Sequence, residues 1–200
     1  MNMVCLDLEG VLVPEIWIAF SEATGIPELR RTTRDEPDYN KLMNFRIDLL
    51  KKNNMKLSDI QQVISGMEPL PGAFEFALAL REKTQLVILS DTFEQFAKPL
   101  MKKLSWPSLF CNSLEIAPDG SVTGYRLRQP NGKKEAIKAF KLMSMRIFAA
   151  GDSFNDLAMI EKADCGCLFR APEAIRKEYA SIPCVETHDE LLAQIDAFLM

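Results

Sequence analysis

The chain has 200 residues, 48% apolar and 26% charged, with a net charge of −4. That length fits one domain, or a core carrying a small insertion, with enough chain to bury a sizeable core. The acidic balance argues against a general nucleic-acid binder, and no apolar run approaches the roughly 20 residues that span a bilayer. The N-terminus lacks the basic flank and cleavage site of a signal peptide, so a cytoplasmic protein is expected. Five cysteines (Cys5, Cys111, Cys165, Cys167 and Cys184) are odd in number and match no zinc spacing. They read as small buried hydrophobes in a reducing compartment.

The segment MVCLDL, residues 3–8, reads as a fully buried strand. VPEIWIAFSEATG follows as a helix with a glycine stop. After the polar loop RTTRDEPDYN come two more helices, KLMNFRIDLLKKN and LSDIQQVISGM, the latter with Ser58 as N-cap. No strand pattern occurs between about residues 14 and 70. From Pro71 the rhythm changes. GAFEFALALREKT is a helix, QLVILSDT a strand and TFEQFAKPLMKKL a helix. A hairpin turned at Asp119-Gly120 comes next. KKEAIKAFKLM is helical, MRIFAAGDS a strand, NDLAMIEKA a helix and DCGCLFRAP a strand. APEAIRKEYA, IPCVE and HDELLAQIDAFL close the chain as helix, strand and helix. His188, the only histidine, opens that last helix and is expected at the surface.

Strands alternating with helices predict an α/β fold: a Rossmann-like parallel sheet with helices on both faces. A small all-helical insertion follows the first strand. The expected division is a core of residues 1–13 and 71–200, with 14–70 inserted. In such sheets ligands bind at the carboxyl ends of the strands. Those ends carry Asp7 and Glu9; Ser90, Asp91 and Thr92; and Asp152, with Asn155 and Asp156 just beyond. Lys133 and Lys134 open the helix before the strand that ends at Asp152. A buried carboxylate needs a metal, a cation or a raised pKa. Several carboxylates, a hydroxyl and an ammonium make the inventory for phosphoryl transfer with Mg²⁺, which takes oxygen ligands.

Four segments in order, DLEGVL, VILSDT, the Lys133 region and GDSFND, make the resemblance specific. Over residues 3 to about 170 the sequence resembles the haloacid dehalogenase (HAD) superfamily, in its phosphoserine phosphatase branch. DLEGVLVPEIWIAF and AAGDSFND are most similar to members that also pass the phosphoryl group to homoserine. The resemblance implies an Asp7 nucleophile and Glu9 as acid and base. Lys133 (KKEAI aligns with the family's K-G-x-x-L pattern) would neutralise charge, with Lys134 as a rival. Mg²⁺ would be held by Asp7, the Glu9 carbonyl and Asp152, with Asp156 in support. Phosphate would contact Ser90, Asp91, Thr92, Lys133 and Asn155. Segment 14–70 resembles the family's cap, where Glu15 and Arg46 match the residues holding a phosphorylated amino acid. The resemblance leaves a homodimer open.

Two departures stand out: Glu9 replaces the usual second aspartate, and SDT replaces a Ser-Gly-type stretch. The longer Glu9 is expected to favour an alcohol acceptor such as homoserine over water. A phosphatase for another small metabolite is the alternative. A dehalogenase would not need Asp152 and Asp156, and a binding module would not need an intact catalytic set.

Overall fold

The computed structural model describes residues 1–200 except Arg34 and Pro37. Its strands are β1 (Asn2–Leu6), β2 (Gln85–Phe93), β3 (Ser108–Ile116), β4 (Val122–Arg126), β5 (Arg146–Gly151), β6 (Cys165–Phe169) and β7 (Cys184–Val185). They form one sheet in the order β4-β3-β2-β1-β5-β6-β7. Every pairing is parallel except β3 with β4, the predicted hairpin. Its loop closes through Ala117 and Ser121, with Ala117 N–H donating to Ser121 O at 2.9 Å.

The alternation along each strand builds two cores. Val4, Leu6, Phe148, Ala150, Cys167 and Phe169 face one side of the sheet. Met3, Cys5, Ile147, Ala149 and Leu168 face the other. Parallel strands covered on both faces read as unbroken apolar runs, and these do. Strand order reverses at β1, which lies between β2 and β5. The crevice at that reversal is where such sheets bind ligands.

Between β1 and β2 the helices are α1 (Ile16–Thr24), α2 (Tyr39–Lys52), α3 (Leu57–Gly66) and α4 (Ala73–Lys83), with a 3₁₀ turn at Pro27–Arg30. Gly25 ends α1 at φ +68°, the left-handed conformation that suits a helix stop. Then follow α5 (Glu94–Lys103), α6 (Gly132–Leu142), α7 (Phe154–Ile160), α8 (Glu173–Glu178) and α9 (His188–Leu199). The helices of residues 16–66 share the apolar cluster of the sheet's first face. Trp17 of α1 packs edge-to-face on Phe96 of α5 at 5.5 Å, a contact worth about 0.5–1.5 kcal/mol beyond area burial. Pro99, inside α5, cannot donate to the carbonyl of Gln95. Gln61 of α3 takes that place, its Nε2 donating to Gln95 O at 3.0 Å.

Four expectations need correction. Ser58 is inside α3, not its cap. The helix starts two residues earlier than that cap implies, at Leu57, and the Asp59 carboxylate takes the Lys56 N–H at 2.7 Å. The helix expected from Thr92 starts only at Glu94, because Thr92, as the strand prediction had it, and Phe93 belong to β2. His188 is buried, at 6% exposure, because α9 packs it against the β6 end. Of the cysteines only Cys5 and Cys167 are fully buried; Cys165 is exposed, since it begins β6 at the bottom of the sheet.

Burial pushes the Cys5 and Cys167 thiols up to about 12. A thiol reagent near neutral pH should therefore modify Cys165 first, and Cys5 and Cys167 only on unfolding. Mass spectrometry of a labelling time course checks this; early modification of Cys5 would contradict the packing of β1.

Candidate active site

Asp7 follows directly on β1 and is 5% exposed. Its Oδ1 accepts the Leu8 N–H at 2.7 Å, and its Oδ2 meets Lys133 Nζ at 2.9 Å. Lys133, on the first turn of α6, is equally buried. Its ammonium also reaches Asp156 Oδ1 at 2.6 Å and stands 3.9 Å from Asp91 Oδ2. Asp156 is wholly buried in the first turn of α7. Its Oδ2 accepts from Asp152 N–H at 3.0 Å, Ser153 N–H at 3.1 Å and Ser153 Oγ at 3.0 Å. Both oxygens of Asp156 are thus engaged. The GDSFND segment is therefore a helix start and an acidic site at once.

Asp7, Asp152 and Asp156 each bring a carboxylate oxygen within 4.8 Å of the others. Gly10 makes room for this. At φ +78° it turns the chain, and a Cβ there would lie 2.5 Å from the Asp152 carboxylate. Burial raises the Asp7 carboxyl well above its usual range; Asp156 adds to this and Lys133 opposes it. Burial pulls the Lys133 ammonium down, but Asp156, Asp7 and Asp91 more than reverse that and hold it well above its ordinary value. Three buried carboxylates around one buried ammonium leave a deficit of positive charge.

Glu9, part-buried two residues on, takes the Ile16 N–H at 2.8 Å with Oε2, so it sits at the N-terminus of α1. Burial and the neighbouring Glu15 push its carboxyl up to about 7, against weaker pulls from the Ile16 N–H, Arg46 and Thr92. Ser90 Oγ accepts the Thr92 N–H at 3.2 Å. Asp91 joins three elements. Its carbonyl accepts Tyr39 Oη and Asn112 Nδ2, each at 3.1 Å, and its Oδ2 accepts Asn155 Nδ2 at 2.8 Å.

All of the predicted residues except Asp156 line one cavity: Asp7, Glu9, Glu15, Arg46, Ser90, Asp91, Thr92, Lys133, Asp152 and Asn155. Asp156 lies behind it. Lys134 is not among the lining residues, and Lys133 alone enters the acidic cluster. Arg46 reaches the cavity from α2. Its guanidinium lies 4.5 Å over the Trp17 ring, and Nη2 donates to Arg31 O at 2.7 Å. Burial lowers it to about 10. Among the described residues two buried side-chain polar atoms lack a hydrogen-bond partner, Arg46 Nε and Thr92 Oγ1. Both residues line this cavity, and the Thr92 hydroxyl also neighbours the Glu9 carboxyl.

Trp17, Thr32, Thr33, Tyr39 and Phe93 also line the cavity and were not anticipated. Trp17 follows the helical period of α1 and reads as packing. Thr32 and Thr33 lie in a polar loop, which carries no local signal for the wall of a cavity.

The haloacid dehalogenase-like hydrolase family matches residues 1–164, and the chain belongs to it. It is 52% identical over 191 residues to "Phosphoserine phosphatase ThrH" of Pseudomonas aeruginosa, covering 96% of this chain and 93% of that protein. It is 53% identical over 190 residues to a phosphoserine phosphatase of Pseudomonas syringae pv. tomato, covering 95% and 80%. A solved phosphoserine phosphatase described as a phospho-aspartyl intermediate analogue has the same fold. Its TM-score is 0.77 at 20% identity, over 93% of each chain.

Replacing Lys133 by methionine leaves the carboxylates with no ammonium among them. Without divalent cation, stability near neutral pH should fall by about 3–5 kcal/mol, the cost of breaking a buried ion pair. The Asp7 carboxyl is raised in the folded protein, so the folded state binds its proton more tightly than the unfolded chain. The loss should therefore shrink as pH falls and grow as pH rises. Urea titrations at about pH 5 and about pH 8 check it; an equal loss at both would refute the electrostatic account.

Proposed function

We propose that the protein is a Mg²⁺-dependent phosphoserine phosphatase in which Asp7 carries the phosphoryl group as an aspartyl-phosphate. One observation carries the reading. A buried carboxylate at the end of β1 is held by Lys133 at 2.9 Å, in a cavity that Arg46 and Glu15 also line. An ammonium for the phosphate and an Arg–Glu pair for the carboxylate and ammonium of an amino acid share one cavity, the set a phosphorylated amino acid requires. The names of relatives at 52% and 53% identity support the same substrate.

The donor set fits a hard divalent cation: clustered carboxylates with one ammonium. Asp7, the Glu9 carbonyl and Asp152 would hold it, with Asp156 steadying the Asp152 backbone and Lys133. Bound there, Mg²⁺ would neutralise phosphoryl charge and keep Asp7 ionised.

In the first step an Asp7 oxygen attacks phosphorus. The P–O bond to serine breaks, and the serine oxygen takes a proton from Glu9. Next a water attacks the acyl phosphate, giving its proton back to Glu9. Phosphate leaves and Asp7 is a carboxylate again. Glu9, at about 7, exists in both forms near neutral pH, which suits a group that donates and then accepts. Lys133 and Ser90 hold the phosphoryl oxygens, and Thr92, Asp91 and Asn155 complete that end. Arg46 takes the substrate carboxylate and Glu15 its ammonium.

Residues 14–70 form the cap and residues 1–13 with 71–200 the core. Closure of the cap shuts out water. A cytoplasmic setting belongs to the same reading, supported by five unpaired thiols. Transfer to homoserine in place of water is the second reading, favoured by the longer Glu9 and the Thr92 hydroxyl beside it.

Purified protein with phosphoserine and Mg²⁺, followed by ³¹P NMR with and without homoserine, tests both readings. Inorganic phosphate in both samples supports hydrolysis. A new phosphate ester with homoserine supports transfer. Intact phosphoserine in both overturns the substrate. EDTA should abolish turnover and Mg²⁺ restore it.

The variant Glu9→Gln should lose about 10²–10⁴-fold in kcat. Wild-type kcat/KM should fall as pH rises through about 7, because ionised Glu9 cannot protonate the leaving serine. That alkaline limb should be absent in the variant; an unchanged profile would remove Glu9 from the acid role.

A further inference from the structure

His188 lies outside the cavity and takes no part in the chemistry above. Its ring is buried between Phe76 of α4 and Phe169 of β6, with centroids 5.1 and 4.8 Å away. Both ring nitrogens face backbone carbonyls. Nε2 is 2.8 Å from Val11 O, and Nδ1 is 3.2 Å from Pro71 O. An imidazolium donates to both acceptors, and a neutral ring to one.

The two carbonyls belong to special places in the chain. Val11 lies on the segment that leaves β1 for α1, and Pro71 on the segment that returns from α3 to α4. The helices of residues 16–66 are joined covalently to the sheet through these two segments alone. The segments also bond each other, with Leu70 N–H donating to Leu12 O at 2.9 Å. Val11 follows Glu9 by two residues in a tight loop, where Leu12 N–H and Val13 N–H both donate to Leu8 O, at 2.8 and 3.0 Å. A side chain from the C-terminal helix therefore grips both linkers and the far end of the Asp7–Glu9 loop.

We propose that His188 is a positioning residue that pins the two linkers together and so sets how the helical segment, with Glu15 and Arg46, meets the Asp7–Glu9 loop. This rests on the reading of that segment as a moving cap. What its two ring nitrogens reach is the pair of linkers, and a buried carbonyl that loses its donor is costly.

Two variants separate the hydrogen bonds from the packing. Phe at this position keeps the ring between Phe76 and Phe169 and loses the donors. Gln loses the ring and keeps two N–H donors. Hydrogen exchange needs no activity. In His188→Phe the Leu12 and Leu70 amides should exchange about tenfold faster, as the loss of one net hydrogen bond allows, while amides within β1 and β5 keep wild-type rates. His188→Gln should restore slow exchange at both.

Kinetics supply a readout that a merely structural role would not move. For His188→Phe, kcat/KM for phosphoserine should fall about tenfold. With p-nitrophenyl phosphate, whose leaving group needs neither the amino-acid contacts nor Glu9's proton, it should change by less than about twofold. Unchanged exchange at Leu12 and Leu70 overturns the proposal. So does an equal loss on both substrates, or a Gln variant worse than the Phe variant. If the wild-type protein leaves phosphoserine intact, the substrate assignment fails, and the exchange data still decide the role of His188.

Discussion

The ammonium of Lys133 lies in a buried nest of carboxylates, and the rest of the site is arranged around that fact. Asp7 at 2.9 Å and Asp156 at 2.6 Å both depend on it. Removing two charges from water costs several kcal/mol per ion, and only close geometry with further hydrogen bonds offsets it. The fold supplies these. Asp7 leans on the Leu8 amide, and Asp156 gathers two backbone amides and a hydroxyl. Each element contributes its end rather than its middle: β1, β5, α6 and α7 all terminate or begin here. A parallel sheet with a reversal at β1 brings exactly those ends to one crevice, where unpaired backbone groups meet charge.

The other half of the site comes from the helices between β1 and β2. Arg46 is buried over the Trp17 ring with its Nε unpartnered, and the Thr92 hydroxyl, which neighbours Glu9, makes no close hydrogen bond. Keeping such atoms unsatisfied costs about 1–3 kcal/mol each. Both atoms lie on the one cavity that the predicted site residues line, where a ligand's polar groups would meet them. Glu9 links the halves. Its carboxylate caps α1 while its backbone stays on the loop of Asp7, so movement of the helices reaches the acid directly. Gln61, bonded to the carbonyl that Pro99 cannot use, ties α3 to α5 in a similar way.

Membership of the haloacid dehalogenase-like hydrolases agrees with this architecture, and the relatives at about half identity cover nearly the whole chain. Two residues depart from the family's usual motifs. Glutamate at position 9 places its carboxyl one methylene further out, and threonine at position 92 adds a buried hydroxyl near it. In the proposed mechanism these residues stand where water and a competing alcohol would be told apart. A methylene in a pocket is worth only about 1–3 kcal/mol, which is enough to shift a partition between acceptors without altering the fold.

Much was legible in the sequence because it is local. Apolar runs of five or six residues ending in acids mark buried parallel strands, and helical periodicity marks the layers that cover them. The order of the strand ends named Asp7, Ser90 and Asp152 in advance, since a parallel sheet aims all its carboxyl ends one way. Other features depend on residues far apart in the chain. Tyr39 comes to the cavity by bonding the carbonyl of Asp91, and nothing at residue 39 announces it. The choice between Lys133 and Lys134 turned on which face of α6 meets the carboxylates. His188 read as a surface residue because a polar ring at a helix start usually is one; only the packing of α9 against the β6 end buries it, 177 residues from Val11. Periodicity and motif order determined the fold and the chemistry of the strand ends. Which polar atoms are buried, paired or left open was decided by tertiary packing, because burial is a property of the whole assembled chain and not of any stretch of it.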